Sequence, residues 1–280
     1  MRRTSRILAV AIVAAVAASA GMVRSGPVAS GDVEVWYESF DYVVELNGHS
    51  VEDARLFTVQ GRPRVLLTSS ELEQALVLDL GGREVKMVEP GDVDQGQTIY
   101  QVTVNESDIH GPPIPYTLDG DAVVFFVKAR RVKIIRKPPL VGEISKDQIL
   151  DFSPVFEQGM LQYEVQPGDL HYLRNYELPV QIEVYFGSWC PHCKKVVPMF
   201  MRLMEDAANS SITWTYTGVP HPPFSDYPPA KARQIRGVPT FVVTAGQQEI
   251  GRIDVIPQDS SLEHELVRIL YVYEQQQRGS

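Results

Sequence analysis

The sequence predicts a chain in two parts, a β-rich N-terminal domain over residues 30–140 followed by an α/β domain over 176–280. Three observations carry this. Short β-branched and aromatic runs separated by glycine-containing turns fill the first half. A strand that hands over directly to a segment of helical periodicity opens the second. The two cysteines of the chain, Cys190 and Cys193, fall at that handover.

In the first half, runs at 33–46, 54–59, 64–67, 75–80, 84–88, 98–104 and 122–135 read as strands, with turns at Asn47-Gly48, Gly81-Gly82 and Asp119-Gly120. The clearest hairpin spans 76–88. No known family is evident here. The expected role is an accessory or spacer domain, with substrate binding or homodimer formation through this domain as the alternatives. Lys137-Pro138-Pro139 marks its exit, and residues 141–175 read as a partly helical connection that begins the second domain.

The second half is more legible. Residues 180–186 form a β-branched and aromatic run bounded by Pro179 and Gly187, as expected of a buried strand. From 194 to 206, Val196, Val197, Phe200, Leu203 and Met204 recur at helical spacing. Cys190 should therefore sit at a helix N-terminus. A strand at 212–217, a short helix at 229–235, a hairpin of 240–244 with 249–255 about Gly246-Gln247, and an amphipathic helix at 261–274 complete the order.

Free N–H groups and the positive end of a helix dipole favour the Cys190 thiolate over the thiol. His192, between the cysteines, adds a hydrogen-bond donor or a positive charge beside the sulfur. A stabilised thiolate makes the disulfide easier to reduce, so the pair would oxidise other proteins. With no third thiol in the chain, the cysteines can pair with each other, with a metal, or with a thiol on another molecule. The loop they would close is too small to stabilise the fold much, which points to exchange chemistry.

Trp189-Cys190-Pro191-His192-Cys193-Lys194 resembles the active-site turn of the thioredoxin superfamily, and Pro198 sits where that family carries a helix-kinking proline. Gly237-Val238-Pro239-Thr240 resembles the family's second motif. The Pro-His pair between the cysteines is similar to that of DsbA. The resemblance implies a cis Pro239 beside the dithiol, a Val238 backbone that pairs with extended substrate, and Trp189 and Pro191 at the docking surface. It also implies that Cys190 attacks, Cys193 resolves and His192 tunes. Many such proteins bury an acid six positions before the first cysteine. Here Val184 stands there, and strand alternation puts the neighbouring Glu183 on the opposite face, so it reads as a solvated or paired strand residue, with a proton acceptor as the alternative.

No organic cofactor or metal is expected. A zinc site would need His171 or His221 to converge on the cysteines to complete four ligands, and Cys193 is followed by Lys194 rather than the histidine of haem attachment. The proline-rich stretch 219–224 reads as a rigid surface loop or a border of the substrate groove.

Residues 1–20 carry three arginines, an apolar run at 7–18 and an Ala18-Ser19-Ala20 cleavage pattern, as in a secretory signal peptide. Retention of this segment as an N-terminal anchor is the alternative. The expected compartment is the periplasm or another exported location, where disulfides persist. The formal charge of −9 becomes about −12 without the signal arginines, which disfavours nucleic acid as a partner. The expected activity is that of a protein thiol-disulfide oxidoreductase, working as an oxidase on exported proteins that carry thiols or disulfides, with a membrane redox partner. Reductase or isomerase action is the near alternative, and a thioredoxin-fold peptide-binding or chaperone module the alternative of another class.

Overall fold

The structure, a computed structural model, describes residues 33–279. The signal segment expected at 1–20 lies outside the described residues. Backbone contacts divide the chain into two units, the first ending at Lys137 and the second starting at Pro138.

The first unit is built from strands β1 (Val33–Glu38), β2 (Tyr42–Leu46), β3 (His49–Ser50), β4 (Arg55–Val59), β5 (Arg64–Thr68), β6 (Ala75–Asp79) and β7 (Glu84–Val88). It continues through β8 (Asp94–Gln95), β9 (Gln101–Asn105), β10 (His110–Pro115), β11 (Thr117–Asp119), β12 (Ala122–Val127) and β13 (Arg130–Arg136). Eight strands form one antiparallel sheet in the order β10-β7-β6-β5-β4-β1-β9-β8, and five form a second in the order β11-β12-β13-β2-β3. Leu56, Leu67, Leu76 and Val85 of the first sheet join Leu46, Phe125 and Val132 of the second in one buried cluster. Trp36, Phe57, Leu66, Val77 and Val102 form another on the opposite face of the first sheet. Burial on both faces explains why Leu66-Leu67 and Leu76-Val77 are continuous apolar runs rather than alternating ones. At the margin, buried Glu34 is ion-paired with Arg62 and with Arg64, which also hold Glu106. Burial still raises the pKa of Glu34.

Two sequence expectations are corrected here, and one strand is added to those the sequence suggests. The run 33–46 is two strands in different sheets, broken at the polar, buried Ser39 and Asp41, whose backbone bonds to Leu56 and Lys137. The run 122–135 is a hairpin that turns at Lys128-Ala129, with φ of 45° and 66°. Two non-glycine residues in the left-handed region give no turn signature in the sequence. The added strand is β10 at residues 110–115, which carries three prolines and lies at the edge of the larger sheet, where missing N–H donors are tolerated.

The second unit holds β14 (Gly142–Ile144), α1 (Lys146–Phe152), α2 (Pro154–Gln162), α3 (Pro167–Arg174), β15 (Val180–Phe186) and α4 (Pro191–Ala207). It ends with β16 (Ile212–Gly218), α5 (Pro228–Ala232), β17 (Thr240–Ala245), β18 (Gln248–Ile253) and α6 (Leu262–Arg278). The sheet order is β14-β16-β15-β17-β18, with β15 and β16 parallel and the other pairs antiparallel. A parallel pair requires a crossover, and α4 supplies it. The segment 141–175 thus contributes one strand and three helices to this unit.

The apolar stripe of α4 drives the packing. Val196, Val197, Phe200, Leu203 and Met204 are buried against Ile182, Val184 and Phe241 of the sheet, and each such side chain contributes about 1.5–3 kcal/mol. Pro198 lies inside the helix, and Gly159 of α2 faces it so closely that a Cβ on residue 159 would stand 2.6 Å from the proline ring. Buried Glu263, in the first turn of α6, accepts from Tyr163 Oη at 2.5 Å and from the Gln166 amide at 3.3 Å. That clasp ties the helical segment before β15 to the last helix.

Helix propensity alone would make Gly159→Ala stabilising by up to about 1 kcal/mol. The close approach to Pro198 reverses the sign. Urea unfolding should show Gly159→Ala destabilised by about 1–3 kcal/mol.

Candidate active site

The site is built where β15 stops. Four residues, Gly187 to Cys190, turn the chain from the end of the strand into α4, and the Cys190 amide donates to the Gly187 carbonyl at 2.9 Å. Cys190 is the N-cap of α4, with extended backbone, and its carbonyl accepts from the Lys194 amide at 3.0 Å. Pro191 occupies the first helical position, where its missing N–H costs nothing. Pro191 and His192 are exposed.

Cys193 is fully buried, and its Sγ accepts a hydrogen bond from the Gly187 amide at 3.3 Å. Gly187 has no room for a side chain, since a Cβ there would lie 2.6 Å from the Trp189 indole. The indole Nε1 in turn donates to the Val219 carbonyl at 3.2 Å, and its ring stacks on His221 with centroids 4.4 Å apart. Cys190 is 8% exposed, more open than Cys193 but still within the buried range. Its thiol donates to the Val238 carbonyl at 3.6 Å. The Val238–Pro239 bond is cis, and Pro239 is buried.

The two sulfurs have opposite electrostatics. The Cys190 thiol is lowered from 9.0 to about 6, first by the hydrogen bond from the Cys193 thiol, against the opposing effect of burial. The Cys193 and His192 amides at the helix tip contribute next, and the His192 charge contributes least. Burial pushes Cys193 well above 9.0, with Cys190 adding to the rise. The expected tuning by His192 is therefore secondary to the partner thiol and the helix N-terminus. At neutral pH the arrangement supplies a thiolate at Cys190 beside a protonated thiol at Cys193.

The structure brings together the seven residues expected at the dithiol. Trp189, Cys190, Pro191, His192 and Cys193 form the strand-to-helix turn, and Val238 and Pro239 abut it from the β17 side. Glu183 stays apart. It is ion-paired with Arg233 and accepts from Tyr185 Oη at 3.0 Å, on the sheet face away from the Val184 and cysteine cluster. Sequence reasoning passed over Gly187 and Val219. The glycine just before Ser188-Trp189 is a signal for a close approach, whereas nothing marks the Val219 carbonyl. The loop 219–223 contacts Trp189 and contains a second cis bond, Pro222–Pro223. Among the described residues, no three of His, Cys, Asp and Glu gather as a metal-binding group.

The match with known families covers this unit. Residues 172–267 match the family model for thioredoxin. The second unit carries a thioredoxin domain. No curated protein matches the chain. Among solved structures, a protein of unknown function from Pseudomonas aeruginosa is similar at 13% identity and a TM-score of 0.35, over 47% of this chain and 98% of that one. An HIV epitope scaffold is similar at 15% identity and a TM-score of 0.38, over 48% of this chain and 94% of that one. Likenesses this weak carry no argument about the thioredoxin domain.

The Cys190 thiolate absorbs in the far ultraviolet, so its titration at 240 nm in the reduced protein should have a midpoint near pH 6. Cys193→Ala should raise that midpoint more than His192→Ala does, because the thiol hydrogen bond is the larger cause. The folded pKa lies below the unfolded one. Cys190 therefore stabilises the reduced fold fully above pH 9, and this contribution disappears as pH falls to about 6. Urea unfolding of the reduced protein against Cys190→Ala across that range checks the sign.

Proposed function

We propose that this protein is a thiol-disulfide oxidoreductase that uses Cys190 and Cys193 as an oxidase of exported proteins. The observation that carries the proposal is the split environment of the pair. A lowered thiol sits at a helix tip 3.6 Å from the Val238 carbonyl, and a buried, protonated thiol stands behind it. That division suits a two-step exchange. Cys190 forms the mixed disulfide with substrate, and Cys193 resolves it by attacking Cys190 Sγ. Val238 and Pro239 offer backbone for an extended substrate, and Trp189 and Pro191 border the reacting sulfur. The Pro-His pair, the secretory pattern at residues 1–20 and the two-cysteine composition support an oxidising, exported setting. A membrane protein would recharge the pair.

One observation favours a reductase as the second reading. A Cys190 pKa of about 6 lies nearer thioredoxin's value of about 7 than DsbA's of about 3.5. The reduction potential of the pair, measured by equilibration with glutathione buffers, separates the two. A potential near −120 mV is the outcome expected of an oxidase, and one near −270 mV would make the protein a reductase.

Substitution tests the roles. Cys190→Ser should lose oxidation of protein thiols and reduction of protein disulfides down to the uncatalysed background. Cys193→Ser should accumulate substrate on Cys190 as a mixed disulfide, visible on non-reducing gels. Full function in Cys190→Ser would instead point to a peptide-binding or chaperone module.

A further inference from the structure

The segments that border the dithiol carry basic side chains and no carboxylate, in a chain whose formal net charge is −9. Three segments border Cys190: the helix tip 191–195, the loop 219–223 stacked on Trp189, and the stretch 234–239 that ends at the cis bond. Their ionisable side chains besides Cys193 are His192, Lys194, Lys195, His221 and Arg236, and none of the three holds a carboxylate. His192, Lys195, His221 and Arg236 are exposed. The next cations along the chain are committed elsewhere: Arg202 pairs with Asp206, and Arg233 with Glu183. Lys195 and Arg236 enter no ion pair with another described residue.

Placement makes these two charges relevant to the sulfur. Lys195 follows His192 at i+3 on α4, so both lie on the exposed face that rises to the helix tip. Arg236 comes two residues before Val238, whose carbonyl receives the Cys190 thiol. Both cations therefore belong to segments that end at the reacting atom, one on the helix and one on the stretch before the cis bond. Unpaired surface charge of one sign around a partly enclosed site raises the local concentration of ions of the opposite sign.

We infer that the mouth selects substrates that carry negative charge beside the reacting sulfur, above all acidic polypeptide segments. This rests on the exchange reading and names its substrate class. In exchange, the Cys190 thiolate attacks one sulfur of the substrate disulfide, and the S–S bond breaks to release one thiolate, which takes a proton from water. Cys193 then attacks Cys190 Sγ, its proton passes to the second departing sulfur, and the substrate leaves as two thiols. The protein dithiol is oxidised and the substrate disulfide reduced, and oxidation of a substrate dithiol runs the same steps backwards. Lys195 and Arg236 act on the encounter and on the bound anion, not on the sulfurs.

The test uses three disulfides on one alkyl scaffold: anionic 3,3′-dithiodipropionate, neutral bis(2-hydroxyethyl) disulfide and cationic cystamine. Second-order rates with the reduced full chain are divided by those of a free Cys-Pro-His-Cys peptide, which removes the intrinsic reactivity of each compound. The anionic reagent should be preferred over the cationic one by about tenfold at low salt. That preference should fall towards one in about 1 M salt, where the Debye length is about 3 Å. The double variant Lys195→Glu/Arg236→Glu should invert the order, and Lys195→Gln/Arg236→Gln should flatten it. A ratio within twofold of the peptide's, or one that the charge reversal leaves unchanged, would overturn the inference while the exchange reading stands. Lack of exchange even with the neutral reagent would overturn both. Disulfide-bridged peptides with Glu or Lys flanking the cysteine form the last arm. A preference for Glu larger than that between the small reagents supports polypeptide selection, and an equal one overturns that part in favour of small anionic disulfides.

Discussion

Burial of the Cys193 thiol in the first turn of α4 is the constraint around which the site is arranged. A sulfur with no access to water needs a polar partner, and the Gly187 amide supplies one at 3.3 Å. That amide is available because the chain leaves β15 in a turn rather than continuing the ladder. The turn can close because residue 187 has no side chain, which lets the Trp189 indole lie directly over it. The indole is anchored in its turn by the Val219 carbonyl and the His221 ring. A run of close contacts thus extends from a loop after β16 to Cys193. The structure has little slack along it.

The same burial sets the difference between the two sulfurs. They are three residues apart, yet loss of solvation dominates one and hydrogen bonding the other. Cys193 keeps its proton and, because it does, can donate it towards Cys190 as the largest single cause of that thiol's lowering. The pair titrates as a coupled unit, so the behaviour of either sulfur is a property of both. The charge of His192, the most conspicuous residue in the motif, adds the smallest of the contributions. Its place at the exposed rim fits a role in what approaches the sulfur better than in the sulfur's own acidity.

How much of this was legible in the sequence differs between the halves for a physical reason. In the second unit, local signals agree. A proline-bounded β-branched run, a helix with a clean apolar stripe and a cysteine pair at their junction specify the site before any long-range contact is known. In the first unit the larger sheet is buried on both faces over β4 to β6, so alternation is lost there, while the runs 33–46 and 122–135 hide their breaks because neither Ser39-Phe40-Asp41 nor Lys128-Ala129 contains a glycine or proline. The Lys128-Ala129 turn and the proline-bearing β10 are held by their neighbours against local preference. Contacts such as Gly159 on Pro198 and the Val219 carbonyl on Trp189 join distant segments and leave no periodic trace.

The proline-rich strand β10 has a consequence for the company this protein keeps. A sheet margin of free N–H and C=O groups is a template on which any extended chain can add itself. Here one margin of the larger sheet is β10, which lacks donors at Pro112, Pro113 and Pro115, and the other is the two-residue β8. The smaller sheet of the same unit ends in the three-residue β11 and the two-residue β3. Blunted margins of this kind let the first unit share solution with unfolded polypeptide without seeding its assembly.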